Sequence, residues 1–499
     1  MYESHLFARC TAHHAVLYWD KPAAARAQQT YTVYLNNQQT ATTDRTHYTL
    51  GGLEPQTEYR VDVLCGDQPV GACMLRTGAE KNRINVTEAP YWAKGDGKTR
   101  DTAALQRAID ACGAGDAVYL PAGIYLTGAL RLHSDMELYL DEGAVLQGTA
   151  DIVDYQPRID SRFEGIEMRC YSSLLNLGQM NHSEGCTCGN VVIRGKGTIA
   201  SGGRELADKI VEDERERLKD YLTENAELVA ACESDRTIPG RVRPRLMQLA
   251  NARNVWISGL TLKDGAAWNL HMIYCDNVVT DHCTFHSEGV WNGSGWVPDS
   301  STNCTVFACD FATGDDAVAV KSGKNPEGNV IGRPSAHIYI FDCRSTVGNG
   351  ICIGSEMSGG VEDVQIWDCD LETSFAGIEV KGTAKRGGYV RGVTARNCTA
   401  PRVMIHTVPY NDDGEGADKP PIFEHFSFED LTLTGRALNR KGDWKDVSPV
   451  SLAGFEEPGH ALRDVNFDGL TITAASPRLP LQYCCDVTLR GVTCLPAER

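Results

Sequence analysis

The chain has 499 residues, which is too long for one ordinary compact domain unless the structure is built from repeats that pack only on their neighbours. Acidic residues outnumber basic ones by 66 to 48, and the net charge of −18 argues against a nucleic-acid partner, because phosphate binding requires a basic face. Since no apolar run reaches transmembrane length, we predict no membrane partner either.

The first residues, from Met1 to His5, have neither the basic region nor the apolar region of a signal peptide. We therefore expect a cytoplasmic protein, or a secreted one if a leader has been removed. The 19 cysteines are an odd number, so at least one is unpaired, and without export we interpret them as buried thiols. Cys186 and Cys188 stand close together, but no second pair follows at zinc spacing. We predict no metal and no cofactor.

Residues 1–78 predict a small β-sandwich. Short apolar runs, among them 15–19 and 31–35, alternate in the manner of strands, and polar turns separate them. Trp19 is a candidate core residue, and 53–59 has the pattern of a tyrosine corner. This segment resembles a fibronectin type III domain, a likeness that says nothing about catalysis.

Residues 79–499 predict a parallel β-helix. Helical spacing from Thr102 to Cys112, followed by short strands, fits the capped start of such a fold. Further on, short apolar alternations recur every 23 to 34 residues, which is typical of β-helix coils. These alternations begin at Val255, Val278, Cys304, Ile338, Val364 and Val390.

Two insertions interrupt the repeat. The longest interval indicates a loop at about 323–335, and about 203–235 has a charged helical pattern without strand signals. We interpret the second segment as an inserted helix, or as a lid over one end of the β-helix or over the cleft. A solvent-exposed insertion without a role in the site explains the pattern equally well.

The most specific chemical signal is Gly314-Asp315-Asp316 at the end of a short strand. It is a poor structural choice, because strands disfavour Asp and adjacent carboxylates repel each other. Close carboxylates favour a proton on one of them, which suits general acid catalysis. A solvated turn or a calcium site would also explain the pair.

Several short motifs occur in order along the chain: 254–261, 268–271, the Gly-Asp-Asp turn and 354–356. Together they resemble glycoside hydrolase family 28, the polygalacturonase-like family, from about residue 85 to the C-terminus. A leading fibronectin-like domain also occurs in bacterial exo-acting members. The resemblance implies a right-handed parallel β-helix, an all-β fold, and inverting hydrolysis of pectin glycosides. One carboxylic acid then protonates the leaving oxygen and another carboxylate activates water. Asp315 and Asp316 match the family's catalytic pair.

The same comparison shows four departures around one cleft. The family's Asn-Thr-Asp-Gly-Ile-Asp-Pro falls on 292–298, where Ser294 and Val297 replace its two aspartates. Where the family has Gly-His-Gly, this chain has Asn349 in place of the histidine. Where the family has Arg-Ile-Lys, this chain has Glu379 in place of the arginine. Four changes favour natural divergence over a single engineered substitution.

The charge of Glu379 affects which sugar the site can bind. The family's arginine and lysine hold the carboxylate of galacturonate, so Glu379 places an anion where an anionic sugar would bind. Such repulsion costs on the order of 1–4 kcal/mol at a few ångströms. We therefore predict an exo-acting glycoside hydrolase with a neutral glycone, such as rhamnose or apiose. Lys381 is retained and weakens this prediction, because it can still hold a carboxylate.

Asp299, Glu288 or Glu379 can supply the catalytic carboxylate that Ser294 no longer provides. Asp299, in a Pro-Asp-Ser turn, is the first choice, although a turn-capping role explains it at least equally well. His271 is more often structural than a ligand, and Trp291 either stacks on a sugar or packs in the core. The predicted substrate-binding residues are His271, Trp291, Asn292, Ser294, Asn349, Glu356, Glu379 and Lys381.

Other functions stay open. An exo-polygalacturonase is one, and a catalytically silent carbohydrate-binding β-helix is another, favoured by Ser294, Val297 and Asn349. A lyase of the same fold normally needs calcium and a basic residue beside a uronate, and no such cluster stands out. The predicted partner is an oligosaccharide or glycoside, and a homo-oligomer is not excluded.

Overall fold

The computed structural model describes residues 6–22, 29–408, 414–439, 441–475 and 477–495. It divides into two compact units, of which the first contains the described residues up to Ile84 together with Cys112–Ala117. The fold class predicted from the sequence is confirmed. Among the residues that the structure describes, no helix has the length and apolar character that crossing a bilayer requires.

Two antiparallel sheets form the first unit, and their inward side chains build one apolar core. Trp19 is buried there and packs edge-on against Tyr31, with ring centroids 5.4 Å apart. The N–H of Glu54 donates to Oη of Tyr59 at 2.9 Å, the bond expected of a tyrosine corner. The likeness to fibronectin type III stays a prediction. The three-stranded sheet contains Leu6–Cys10, His14–Trp19 and His47–Gly51, and the four-stranded sheet contains Tyr31–Leu35, Gln38–Thr43, Glu58–Cys65 and Gln68–Arg76.

Stacked parallel strands form three long sheets in the rest of the chain. The first sheet contains Asn82–Asn85, Asp116–Leu120, Met136–Leu140, Cys188–Gly195, Ala252–Ser258, Asp276–Asp281, Thr302–Phe307, Ser335–Phe341, Val361–Trp367, Tyr389–Arg396, Ile422–Glu429, Leu462–Asp468 and Cys484–Arg490. The second contains Asp96–Arg100, Gly123–Thr127, Ala144–Gly148, Thr198–Ala200, Thr261–Lys263, Thr284–His286, Asp310–Ala312 and Arg344–Val347, and a further sheet contains Thr399–Ala400, Thr432–Leu433, Thr471–Ile472 and Thr493–Cys494.

The third long sheet, called the site sheet below, carries the residues that matter for function. It contains Leu130–Leu132, Leu175–Gly178, Met247–Ala250, Leu270–Ile273, Trp296–Asp299, Val318–Val320, Gly350–Ile353, Gly377–Gly382, Val403–Thr407, Val450–Ala453 and Leu481–Gln482. Because side chains alternate along a strand, every second residue of this sheet points away from the apolar interior.

The predicted repeat is in register with one exception. Val255 pairs with Val278, and Ile338 pairs with Val364, as the spacing implied. Val364, however, pairs with Val393, so the start predicted at Val390 is wrong by three residues. Val390 and Val393 each begin a short apolar alternation, and the spacing of the repeat alone does not distinguish these two starts.

Most cysteines are buried, as the sequence suggested. Five of them stack in successive coils, and the N–H of Cys283 lies 3.4 Å from Sγ of Cys309. The expectation is wrong for Cys186, Cys485 and Cys494, which are exposed. The stacked set is Cys283, Cys309, Cys343, Cys369 and Cys398.

Two hairpins and several helices are added to the coils. The helix Thr102–Asp110 stands near the start of the β-helix, Glu327–Ile331 lies in the predicted loop insertion, and Ile152–Tyr155 is a short 3₁₀ turn. The helical insertion contains Gly203–Arg217, Lys219–Glu224, Ala226–Ala231 and Thr237–Gly240. The first hairpin pairs Ile159–Phe163 with Ile166–Cys170, and the second pairs Arg436–Leu438 with Trp444–Asp446.

Candidate active site

Asp315 and Asp316 lie in the turn that leads into strand Val318–Val320 of the site sheet. The neighbouring coils fix this turn through the backbone. The N–H of Gly295 donates to the carbonyl of Asp316, and the N–H of Asn349 donates to the carbonyl of Asp315, both at 2.9 Å. The two carboxylates are therefore held in place by coils on both sides.

One side-chain amide joins the two carboxylates. Nδ2 of Asn349 lies 3.0 Å from Oδ1 of Asp315 and 2.8 Å from Oδ1 of Asp316. The ammonium of Lys381 lies 3.4 Å from the same Asp316 oxygen. An amide donor and a cation thus offset the repulsion between adjacent carboxylates. The structure brings together four residues predicted for the site.

Glu379 is the next member of this cluster. Its Oε2 lies 3.1 Å from the ammonium of Lys381, and its Oε1 accepts from Nε2 of His406 at 2.7 Å. The thiol of Cys352, its register partner on the adjacent strand, lies 3.2 Å from Oε2. Burial by itself would raise the pKa of Glu379, but Lys381 and then His406 hold that pKa well below its usual range. Glu379 is therefore a charged, firmly held carboxylate.

A cavity of about 670 Å³ opens in front of this cluster. Asn349, Glu379 and Lys381 form part of its wall, and Asp315 and Asp316 adjoin it through their bonds to Asn349. The second hairpin supplies Lys441 and Lys445 on another side. The lining residues are Glu233, Asn349, Phe375, Glu379, Lys381, Val408, Asn439, Lys441, Asp443 and Lys445.

Ser294 occupies the coil just before Asp316. Its side chain is 1 % exposed, and its Oγ has no hydrogen-bond partner among the described residues. A buried hydroxyl without a partner is unfavourable, so this atom is available to a group that enters the site.

Asn292 and Trp291, both predicted to bind substrate, are held by Arg243. The guanidinium of Arg243 donates to Oδ1 of Asn292 at 2.6 Å and lies 4.0 Å from the ring centroid of Trp291. Both residues remain partly exposed. Burial lowers the pKa of Arg243 to about 9, which still leaves it charged at neutral pH.

Asp299 and His271 belong to a second, enclosed network. Oδ1 of Asp299 lies 3.0 Å from a guanidinium nitrogen of Arg162, and Oδ2 lies 3.2 Å from Nε2 of His271. All three side chains are fully buried. Burial alone would raise the pKa of Asp299, but Arg162 and His271 lower it, whereas burial lowers the pKa of His271 to about 4. The structure thus does not bring these two residues to the cavity wall.

Glu356 also lies in an enclosed pair rather than on the cavity wall. It accepts a hydrogen bond from the ammonium of Lys321, and both side chains are almost completely buried. Burial alone would raise the pKa of Glu356, but Lys321 and then Arg386 hold that pKa well below its usual range.

The first hairpin covers the outward face of the site sheet beside the cavity. The ring of Phe163 stacks on Trp268 with centroids 5.1 Å apart, and Oγ of Ser161 donates to Gln248 at 2.6 Å. Further along, the N–H of Lys324 donates to the carbonyl of Gly165 at 2.9 Å. Sequence reasoning missed this cover, and with it Arg162, because the segment carries no repeat and no motif.

Sequence reasoning also missed Cys352, His406 and the lysines of the second hairpin. For His406 a signal existed, because it pairs in register with Lys381 one coil earlier and therefore shares its outward direction. Lys441 and Lys445 had no such signal, since their hairpin lies outside the repeat.

Comparison with known proteins agrees with this architecture. Residues 184–408 match the family model described as Glycosyl hydrolases family 28, and residues 83–153 match the model described as Rhamnogalacturonase A/epimerase, pectate lyase-like. The chain therefore contains a glycosyl hydrolase family 28 domain, as its motifs predicted.

Two curated relatives are similar over much of the chain. An exo-poly-alpha-D-galacturonosidase of Dickeya chrysanthemi is 30% identical over 380 residues, which cover 72% of this chain and 62% of the relative. A probable polygalacturonase of Vitis vinifera is 31% identical over 61% of this chain and 58% of the relative. The chain thus spans about three fifths of the length of these relatives.

Solved structures share the fold. The family 28 exopolygalacturonase of Yersinia enterocolitica aligns with a TM-score of 0.83 at 23% identity, covering 98% of this chain and 95% of that one. The hyperthermoactive exopolygalacturonase of Thermotoga maritima aligns with a TM-score of 0.68 at 23% identity, covering 83% of this chain and 91% of that one.

Proposed function

We propose that this protein is an exo-acting glycoside hydrolase of pectin-derived or plant oligosaccharides that removes a neutral sugar such as rhamnose or apiose. The observation that carries the proposal is the pair Asp315 and Asp316, held by Asn349 beside the 670 Å³ cavity. Hydrolysis of a glycosidic bond by paired carboxyl groups needs one that protonates the leaving oxygen and another that activates water or attacks the sugar. Asp315 and Asp316 supply two such groups in fixed positions.

Exo action is supported by what surrounds the cavity. The first hairpin packs over the outward face of the site sheet at Gln248, Trp268 and Asp299, so an extended chain cannot continue there. The helical insertion contributes Glu233 to the cavity wall, and the second hairpin closes another side. A cavity bounded in this way accepts the end of an oligosaccharide rather than its middle.

The neutral sugar is supported by the charge of Glu379. Its carboxylate lines the cavity, and the low pKa keeps it ionised. The ammonium of Lys381 is already shared between Asp316 and Glu379 and therefore attracts a second anion only weakly. A sugar hydroxyl can donate to Glu379, whereas a uronate at the same place would be repelled.

Exo-polygalacturonase activity is the second candidate. Lys441 and Lys445 line the same cavity, and the described residues provide no ion-pair partner for either ammonium. Both ammonium groups are suited to hold a carboxylate of the substrate. Two relatives, an exo-poly-alpha-D-galacturonosidase and a probable polygalacturonase, favour galacturonate as well.

Product analysis separates these candidates. The protein is incubated with pectin fragments and with neutral plant glycosides, and the released sugar and its anomeric form are identified at early times. Release of single neutral sugars, abolished in Asp316→Asn, is the expected result. Release of galacturonate would establish the second candidate. No release from any substrate would indicate a protein that only binds carbohydrate.

A further inference from the structure

Three side chains that can ligate a metal meet beside the 670 Å³ cavity. Asp316, Cys352 and Glu379 each offer one donor atom, and these atoms lie within 4.8 Å of one another. All three side chains are buried, so their donor atoms keep fixed positions and are shielded from bulk water. They come from three successive coils of the β-helix. Because no two of them are close in sequence, no short motif indicated this cluster.

The spacing of the donors suits one small ion. Sγ of Cys352 lies 3.2 Å from Oε2 of Glu379. Two ligand atoms bound to the same tetrahedral zinc ion, with bonds of about 2.0–2.3 Å, stand at nearly this separation. The same Glu379 oxygen and Oδ1 of Asp316 already contact a common cation, the ammonium of Lys381, at 3.1 Å and 3.4 Å. The fold therefore directs both carboxylates toward one cation position.

An ammonium is not the cation that this position holds best. Lys381 carries one positive charge, whereas the two carboxylates that it joins carry two negative charges when both are ionised. A divalent cation matches them more closely. Lys381 also lines the cavity, and its long, flexible side chain can move into that space and leave the position between the carboxylates.

The sulfur atom decides which divalent cation fits. Mg²⁺ and Ca²⁺ take oxygen ligands, whereas Zn²⁺ binds thiolate together with carboxylate oxygen. The outer contacts of the cluster suit a metal as well, because metal-bound carboxylates are usually held by further hydrogen bonds. Oε1 of Glu379 accepts from Nε2 of His406 at 2.7 Å, and Oδ1 of Asp316 accepts from Nδ2 of Asn349 at 2.8 Å.

We infer that Asp316, Cys352 and Glu379 form a binding site for a thiophilic divalent cation, with Zn²⁺ as the best-suited ion. Lys381 moves into the cavity when the ion binds, and the thiol of Cys352 releases its proton to solvent as the sulfur–metal bond forms. A water molecule completes the four ligands. Because the ion takes the carboxylate of Asp316, its binding blocks the proposed hydrolysis. That consequence rests on the proposed function, whereas the metal site itself does not.

Metal titration of the full chain tests the site without requiring turnover. Calorimetry gives Kd for Zn²⁺, Mg²⁺ and Ca²⁺, and Co²⁺ replaces Zn²⁺ as a probe whose near-ultraviolet charge-transfer absorption reports a thiolate ligand. We expect Mg²⁺ and Ca²⁺ to bind about a hundredfold more weakly than Zn²⁺, because they disfavour sulfur. Cys352→Ser should remove the Co²⁺ absorption and weaken Zn²⁺ binding by about a hundredfold, since even the outer partners of metal ligands contribute about 10- to 100-fold.

Two further variants should change the affinity in opposite directions. Glu379→Gln removes an anionic ligand and should weaken Zn²⁺ binding by about tenfold or more. Lys381→Gln removes the competing ammonium and should tighten Zn²⁺ binding by about tenfold. Cys186→Ser, which alters an exposed thiol, is the matched control and should leave Kd for Zn²⁺ unchanged.

The outcomes separate the metal site from the proposed hydrolysis. No binding of Zn²⁺, equal affinity for Zn²⁺ and Mg²⁺, or an affinity unaltered in both Cys352→Ser and Glu379→Gln would overturn the site. Zn²⁺ bound through Cys352 in a protein that cleaves no substrate would establish the site and refute the hydrolysis. In an active protein, Zn²⁺ should inhibit cleavage, and Cys352→Ser should relieve that inhibition. Cleavage that continued at full rate with Zn²⁺ bound through Cys352 would overturn the block.

Discussion

Glu379 accepts a hydrogen bond from His406 across two adjacent strands of the site sheet, with 2.7 Å between Oε1 and Nε2. Its other oxygen contacts Lys381 at 3.1 Å and the thiol of Cys352 at 3.2 Å. Three donors thus orient one buried carboxylate at the position where the family carries arginine. Such a group is a fixed acceptor in the cavity wall and cannot move aside for an anion.

Glu379→Gln should change substrate preference. The substitution removes a negative charge but keeps the size of the side chain, and the repulsion removed is on the order of 1–4 kcal/mol. We therefore expect the kcat/KM ratio of uronate-terminated to neutral-terminated substrates to rise about tenfold. Glu362→Gln, which alters a partly exposed carboxylate paired with Arg391, is the control. An unchanged ratio in Glu379→Gln would contradict the assignment of specificity to this charge.

Asp316→Asn should abolish most activity while the protein stays folded. General acid–base catalysis contributes about 10²- to 10⁴-fold, and an amide cannot transfer the proton. The measurements are kcat on the best substrate of the panel and the thermal unfolding midpoint. Asp310→Asn, which removes an exposed carboxylate from the same coil, should leave kcat unaltered. Activity that survives in Asp316→Asn would move the catalytic centre elsewhere.

The resemblance to the motifs of family 28 predicted the central cluster. In the structure, the coil period stacks the strands that carry Asp316, Asn349, Glu379 and Lys381 side by side, so the motif positions become neighbours. The surroundings of Asp299 could not be predicted in this way. Its partner Arg162 is 137 residues away on a hairpin outside the repeat, and nothing local indicates that the hairpin folds back over the sheet. For the same reason, the sequence did not predict that Glu233 lines the cavity, because a helical insertion outside the repeat brings it there.

Asp299→Asn should act on stability rather than on chemistry. Removing one partner of a buried ion pair leaves Arg162 without compensation and costs about 3–5 kcal/mol. Urea unfolding measures this loss, and kcat per folded molecule should remain near that of the wild type. The double variant Arg162→Met with Asp299→Leu should recover much of the stability, because both charges are removed. Asp299 would instead be the displaced third catalytic carboxylate if kcat fell while stability did not.

The pair of Glu356 and Lys321 should make stability depend on pH in the acidic range. The folded protein holds the pKa of Glu356 below the ordinary value of 4.5, so below that value the unfolded chain takes up the proton more readily. The stabilisation is therefore complete above about pH 4.5 and is lost as the pH falls.

Glu356→Gln tests this linkage. At pH 7 it should lower the free energy of unfolding by about 3–5 kcal/mol, since it leaves the buried ammonium of Lys321 unpaired. The difference between variant and wild type should then shrink progressively as the pH falls below about 4.5. Urea unfolding at several pH values measures it, with the exposed Glu372→Gln as the control. If the difference did not change with pH, the stabilisation would not come from the ionised carboxylate of Glu356 beside Lys321.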